Sequence, residues 1–272
     1  MKYYVVDAFA EKVFEGNPAG VCVLGQWLPD RLMQDITNEN NLAETAFTVK
    51  EADSYHLRWF TPGGEVELCG HATLATAYVT VRFVEPGLQQ VSFDTLSGRL
   101  TVKKEGEWLT MDLPSFVLGP IPVTAELTAA LGVTPVEAYL GADLVCVLAE
   151  EELVRQVQPD QERIRQMGGL CLHITALGKE YDCVTRTFAP KCNVAEDPVC
   201  GRAHCHCGYP LWATRKLGKQ VWTAYQASPA GRGAPLPLGR GAYHAQRQSS
   251  PVFASRSVDR IDRPLKARRK IA

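Results

Sequence analysis

The chain has 272 residues, is 46% hydrophobic and 22% charged, and carries a formal net charge of −1. This is a globular composition, long enough for one large domain or two of about 130 residues, and it holds no run of about 18 apolar residues that would predict a membrane span. Nine cysteines without regular spacing exclude a disulfide scaffold and predict buried, reduced thiols in a cytosolic protein.

Residues Lys2 to Ala8 read as a strand, with no signal-peptide core before them. Phe14 to Gly20 has turn chemistry, and Val21 to Leu24 is a second strand. Pro29 to Asn38 has helical spacing with Leu32, Met33 and Ile36 on one face. Asn41 to Val49 leads into a strand, and Tyr55 to Phe60 is another. Trp59 to Arg82 then runs through a Pro-Gly-Gly turn, a short acidic strand, the bend Cys69-Gly70-His71-Ala72 and an apolar, Ala-rich helix. Val91 to Phe93, Leu100 to Lys103 and Trp108 to Leu113 are strands.

Pro120 to Pro122 reads as a linker. Thr124 to Leu131 is a helix with Gly132 placed to stop it. Glu137 to Leu140 and Leu144 to Leu148 are strands, Glu150 to Met167 is one amphipathic helix, and Cys171 to Thr175 and Tyr181 to Phe188 are strands. Phe188 to Leu217 repeats the earlier design: a Pro turn, acidic residues, Cys-Gly-X-Ala and a helix. Val221 to Gln226 is a last strand. Two copies of strand, Cys-Gly and buried helix predict two similar halves facing one another.

Four groups are candidates for chemistry. Glu44 lies among small and apolar residues where a strand begins, so partial burial would raise its pKa and suit it to proton transfer at carbon. Cys69 and Cys200 each precede a helix start, Gly70-His71-Ala72 and Gly201-Arg202-Ala203. Free N–H groups there would hold a substrate carboxylate and lower the thiol pKa values, as a two-thiol racemase needs. His71 would bind a carboxyl or relay a proton, and Asp197 would hold an amine or share protons with His71. His204-Cys205-His206-Cys207 invites a zinc reading, but neighbouring helical residues point apart and no second pair lies at finger spacing, so no metal is expected.

The stretches VDAFAEKVFEGNPAGVCVL, NLAETAF, LRWFTPGGEVELCGHATLATAYV, TRTFAPKCNVAEDPVCGRAHC, WATRKLGK and YQASP resemble the PhzF-like phenazine-biosynthesis family, which shares the diaminopimelate epimerase fold. They run in order over about residues 4–229. The resemblance implies an α/β (α+β) protein of two pseudo-symmetric halves, residues 1–118 and 119–229, each a curved, mostly antiparallel sheet wrapped around a central helix. It further implies a cleft between the halves, a homodimer and no cofactor. The function implied is a cofactor-independent isomerase of a small amino-acid-like or cyclic carboxylate, with Glu44 as acid/base and with Gly70, His71 and Asp197 binding substrate and moving protons. Cys200 and Arg202 stand where the family usually has Thr and Ser. Cys200 keeps a Cys69/Cys200 racemase open, and Arg202 points to a different substrate. Asn193 replaces a common Gly. A non-catalytic interaction protein on the same fold is the third reading.

Residues 231–272 hold ten Lys/Arg and two Asp/Glu, against 19 and 28 in residues 1–230. Such a basic end can be a nucleic-acid arm. Nucleic acid is nevertheless not an expected partner, because the family pattern stops abruptly at YQASP. The Gly/Pro/Arg/Ser-rich tail, 230–272, is expected to be disordered or poorly structured and to form no regular core element. Its composition is that of a GC-rich gene read in the wrong frame. A frameshift near residue 229 is therefore expected. Resequencing tests it: the alternative frame should encode two or three strands, and a frame that encodes none removes the idea.

Overall fold

The computed structural model describes residues 1–10, 16–113, 116–218 and 222–229, without the side chains of 112, 208–210, 213 and 214, and the backbone of 235–236, 252–255 and 257–263. Strand β1 (Lys2–Ala8) pairs antiparallel with β2 (Asn17–Leu24). Of the expected turn over 14–20, residues 14–15 lie outside the description and Asn17–Gly20 is strand instead. Gly16 makes the entry: its φ is +69°, and a β-carbon there would lie 2.1 Å from the Ala8 carbonyl oxygen. Only glycine fits such a position.

Helix α1 (Asp30–Asn40) crosses to β3 (Glu44–Glu51), which lies parallel to β2. Met33 and Thr37 face the sheet, whereas Leu32, expected beside them, is 45% exposed. Positions 33, 36 and 37 share a face at i, i+3 and i+4, and 32 falls off it. Strand β4 (Ser54–Thr61) forms a hairpin with β3, and the short β5 (Gly64–Val66) folds back on β4. Helix α2 (Gly70–Val79) follows and widens into π-type turns over Thr80–Val84. Strands β6 (Gln90–Thr95), β7 (Gly98–Glu105) and β8 (Trp108–Asp112) complete a meander, with β6 parallel to β4.

All of α2 except Tyr78 is buried, as a helix that is apolar on every side must be. Its threonines are compatible with burial because they bond the preceding turn. Thr76 Oγ1 donates to the Ala72 carbonyl at 2.7 Å, and Thr80 Oγ1 to that of Thr76 at 2.8 Å.

The second half starts with β9 (Gly119–Ile121), which pairs with a later strand and so replaces the expected linker. Helix α3 (Ala125–Leu131) is ended by Gly132 at φ +70°, as its sequence predicts, and Thr124, expected as its first residue, caps it instead. Strands β10 (Glu137–Leu140) and β11 (Leu144–Val147) form a hairpin. The single helix expected over 150–167 is two, α4 (Glu151–Gln156) and α5 (Gln161–Gln166). Pro159 interrupts the first, and Asp160 caps the second by accepting the Glu162 and Arg163 N–H groups at 3.0 Å.

Strands β12 (Leu172–Leu177) and β13 (Cys183–Ala189) form the next hairpin, and β14 (Val194–Asp197) folds back on β13. Asn193, between them, has φ +56°, a left-handed conformation that Asn tolerates better than most residues. Helix α6 (Gly201–Ala203) continues as a wide π-type helix over His204–Leu217, then come β15 (Ala224–Gln226) and β16 (Pro235–Leu236).

The two halves repeat one plan. A hairpin leads through a helical crossover to a parallel strand, then a second hairpin, a short folded-back strand, and a buried helix that crosses to another parallel strand. Each folded-back strand is pinned by a two-pronged ion pair. Arg58 donates Nε and Nη2 to Glu65 at 2.7 Å, and Arg186 does the same to Glu196 at 2.8 Å. The protein is thus a mixed α/β fold of two pseudo-symmetric halves, each a curled sheet around a central helix. One apolar cluster runs through both, from Val6, Trp59 and Leu74 to Val199, Ala203 and Leu211. Among the described residues no helix is long and apolar enough to cross a membrane.

The basic tail does supply strands, contrary to its composition. Segment β17 (Val252–Ser255) pairs with β8, and β18 (Ser257–Arg263) pairs with β1, one at each edge of the first sheet. An open edge pairs through main-chain groups, which place little demand on side chains.

Gly16 and Gly106 share a left-handed φ, +69° and +65°, but only Gly16 is crowded. Gly106→Ala should cost about 1 kcal/mol, from conformation alone. Gly16→Ala should cost about 3 kcal/mol or more, because the backbone must also move. Urea unfolding of both variants checks this, and equal losses would contradict it.

Candidate active site

A cavity of about 260 Å³ opens between the halves. On one wall stand Glu44, from the first position of β3, and Cys69, Gly70 and His71, from the entry to α2. On the other stand Asp197, from the end of β14, and Cys200, Gly201 and Arg202, from the entry to α6. The two helix starts nearly touch: a β-carbon on Gly70 would be 3.5 Å from the Gly201 α-carbon. Gly63, in the first Pro turn, meets the second Pro turn so closely that a β-carbon would lie 2.8 Å from the Cys192 backbone. Of the nine residues expected in the site, eight line the cavity. Ala72 does not: its side chain packs in the core.

Glu44 Oε2 lies 3.2 Å from His71 Nε2. The two atoms are not aligned as a hydrogen bond, and neither has another partner among the described residues. Burial pushes the Glu44 carboxyl well above its usual range, and the charge of Asp197 adds to this. His71 is 2% exposed, and burial pushes it down to about 3, so it is neutral at neutral pH. Its other nitrogen, Nδ1, faces the Cys69 sulfur at 3.5 Å.

Burial raises Asp197 to about 7, although the Cys200 thiol, the Val199 N–H and the Asn17 amide all favour its charged form. Asn17 Nδ2 donates to Asp197 Oδ1 at 2.6 Å and to the Val199 carbonyl at 3.0 Å. No hydrogen bond joins Asp197 to His71 among the described residues. Its electrical partner across the cavity is Glu44.

Both cysteines depart from expectation. Burial and the Glu44 charge push the Cys69 thiol well above its ordinary range, and burial and Asp197 do the same to Cys200. The N–H groups of His71 and Ala72 act on Cys69 in the expected direction but do not prevail. Removal from water is the larger effect.

Arg202 lines the cavity but is held from behind. Its Nε donates to Asp143 Oδ2 at 2.6 Å and Nη2 to Asp143 Oδ1 at 3.2 Å, and its guanidinium lies 5.2 Å from the Phe116 ring centre. His173 Nε2 and the Cys171 N–H meet the same carboxylate at 3.0 and 3.2 Å. Burial works to raise Asp143, but His173 and Arg202 prevail and leave it well below its usual range.

Two groups bring three ligand-type atoms within 4.8 Å: Glu44, Cys69 and His71, and Asp143, His173 and His206. In the second, Arg202 already gives Asp143 its positive partner. In the first, the high proton affinity of the thiol opposes metal binding. The run at 204–207 does not converge. Cys205 and Cys207 donate to the Gly201 and Ala203 carbonyls, His206 stacks on Phe116 at 4.3 Å, and His204 lies beside Trp222.

Asn17, Asp143, Cys171 and Lys191 were not singled out by the sequence reading. Asn17 lies within a quoted motif, but its partner is 180 positions away. Asp143 had no local signal at all.

The family model "Phenazine biosynthesis-like protein" matches residues 6–250. An uncharacterized isomerase of Pseudomonas aeruginosa is 45% identical over 233 residues, 85% of this chain and 88% of its own length. A crystal structure of a PhzF-family phenazine biosynthesis protein from Enterococcus faecalis superposes with a TM-score of 0.85 at 44% identity, covering 96% of this chain and 98% of that one. A hydroxyproline epimerase from Agrobacterium vitis has a TM-score of 0.62 at 11% identity, covering 97% and 94%, and shares the fold alone. The chain belongs to the phenazine biosynthesis-like (PhzF) family and is an isomerase by class.

Proposed function

We propose that the cavity carries out cofactor-independent proton transfer at carbon on a small amino-acid-like or cyclic carboxylate, with Glu44 as the base and then the acid. One observation carries this reading. Glu44 Oε2 is buried on the cavity wall and hydrogen-bonded to nothing among the described residues. A carboxylate with raised proton affinity is better matched to a weak carbon acid than an exposed one.

In the step itself, a substrate C–H bond breaks and an O–H bond forms on Glu44. The electron pair left on carbon spreads into an adjacent carboxyl group or double bond. Glu44 then returns the proton to a second carbon and recovers its charge. Neutral His71, its Nε2 3.2 Å away, has only to realign to donate Nε2–H to the ionised carboxylate, without a positive charge that would weaken it as a base. Asp197 opposes ionisation of Glu44 across the cavity, which strengthens Glu44 as a base.

The matched placement of Cys69 and Cys200 favours a two-thiol racemase as the second reading. Their raised proton affinity weighs against it, because the base must be a thiolate.

Deuterium uptake from D₂O into a library of amino acids and unsaturated cyclic acids, read by mass spectrometry, separates the readings. Glu44→Gln should lower kcat by about 10²–10⁴, while Cys69→Ser and Cys200→Ser keep substantial exchange. Full turnover by Glu44→Gln would rule out its role. Exchange at an α-carbon abolished by either serine variant would establish the thiol pair. Uptake into no compound would favour the non-catalytic reading.

Asp197 also makes a stability prediction. Its folded pKa, about 7, lies above the ordinary 3.8, so the folded state holds a proton that the unfolded state releases. The stability this contributes is complete below about pH 4 and is lost as pH rises to about 7. Asp197→Asn should therefore flatten the fall in Tm over that window and make the protein the more stable of the two at pH 8. Parallel melting curves for both proteins would contradict this.

A further inference from the structure

Arg202 is built into the cavity wall rather than left loose. Arg202 has five N–H donors. Asp143 takes one from Nε and one from Nη2. No other hydrogen bond forms from the guanidinium among the described residues, so both Nη1 hydrogens and one on Nη2 remain unspent. The side chain is 17% exposed, and it lines the cavity. Asp143, which is fully buried, and Phe116 fix its position, while His173 and the Cys171 N–H share the Asp143 charge. Such a preformed fork suits a planar carboxylate.

Lys191 lines the same wall. Its Nζ donates to the Met167 and Gly169 carbonyls, and no carboxylate lies within ion-pair reach among the described residues. The wall facing Glu44 therefore carries one cation without an acidic partner and one whose donors are only partly used. A substrate with a single carboxylate beside its reacting carbon leaves one of these features unanswered.

We propose that Arg202 determines specificity by binding a second carboxylate of the substrate, away from the carbon that faces Glu44, so that the substrate is a small dicarboxylate. This rests on the isomerase reading only in assuming that the same cavity is used. The binding claim itself stands apart from catalysis.

Calorimetric titration with succinate and glutarate, against the matched monoamides succinamate and glutaramate, provides the test. The unaltered protein should bind a diacid roughly 10–100-fold more tightly than its monoamide, the worth of a charge-assisted pair. Glu44→Gln should keep that preference. Arg202→Met should lose it and leave monoamide affinity within about threefold. Arg202→Lys keeps a positive partner for Asp143 and so guards against misfolding. It should lose most of the preference, because a single ammonium cannot reproduce the fork. Equal binding of diacid and monoamide, binding of neither, or an undiminished preference in folded Arg202→Lys overturns the proposal. A diacid preference without deuterium exchange in any compound would leave Arg202 assigned and overturn the Glu44 proton-transfer reading instead.

Discussion

One buried amide fixes the geometry on which the rest of the site depends. Asn17 reaches from the first half into the second and gives both its amide hydrogens to it, one to the Asp197 carboxylate and one to the Val199 carbonyl. It can do so because Gly16 turns the chain where no side chain fits. A fully buried amide that loses its partners is costly, so the two halves are held in one register. That register sets the field that Asp197 exerts on Glu44. A glycine in one half thus contributes, second to burial, to the proton affinity of a carboxylate through a residue in the other.

The site is arranged at the expense of stability. Two carboxyl groups are removed from water without a cation for either among the described residues, while the nearby Arg202 is turned to Asp143. Groups in such surroundings are where a protein departs from its most stable choice, and they are expected where proton transfer is the task. The surrounding structure compensates. A single apolar cluster passes through both halves, and an Arg–Glu clamp pins each folded-back strand.

Much of this was legible in the chain itself. The paired Cys-Gly bends announced two halves, Gly132 marked the end of its helix, and the small residues around Glu44 pointed to a sheltered carboxylate. What escaped was mostly non-local. Asp143 and Asn17 draw their meaning from partners 59 and 180 positions distant. The thiols were misjudged because helix-start N–H groups are visible in sequence and the depth of burial is not. The helix over 150–167 was a different error, since Pro159 was in plain view. The tail strands escaped because an edge accepts extended chain by its backbone alone.

The repeated plan bears on stereochemistry. Thr45 pairs with Phe60 in one half, and Leu172 pairs with Phe188 in the other. The residue before each strand partner is Glu44 in the first and Cys171 in the second, and both line the cavity. The repeated plan therefore sets two equivalent posts on the cavity wall, and only one holds a carboxylate. The other holds a thiol whose proton burial keeps tightly in place. Under the proposed reading, in which Glu44 is the base, hydrogen is removed and restored on the same face, and the handedness of the product is written into the difference between two otherwise matching halves.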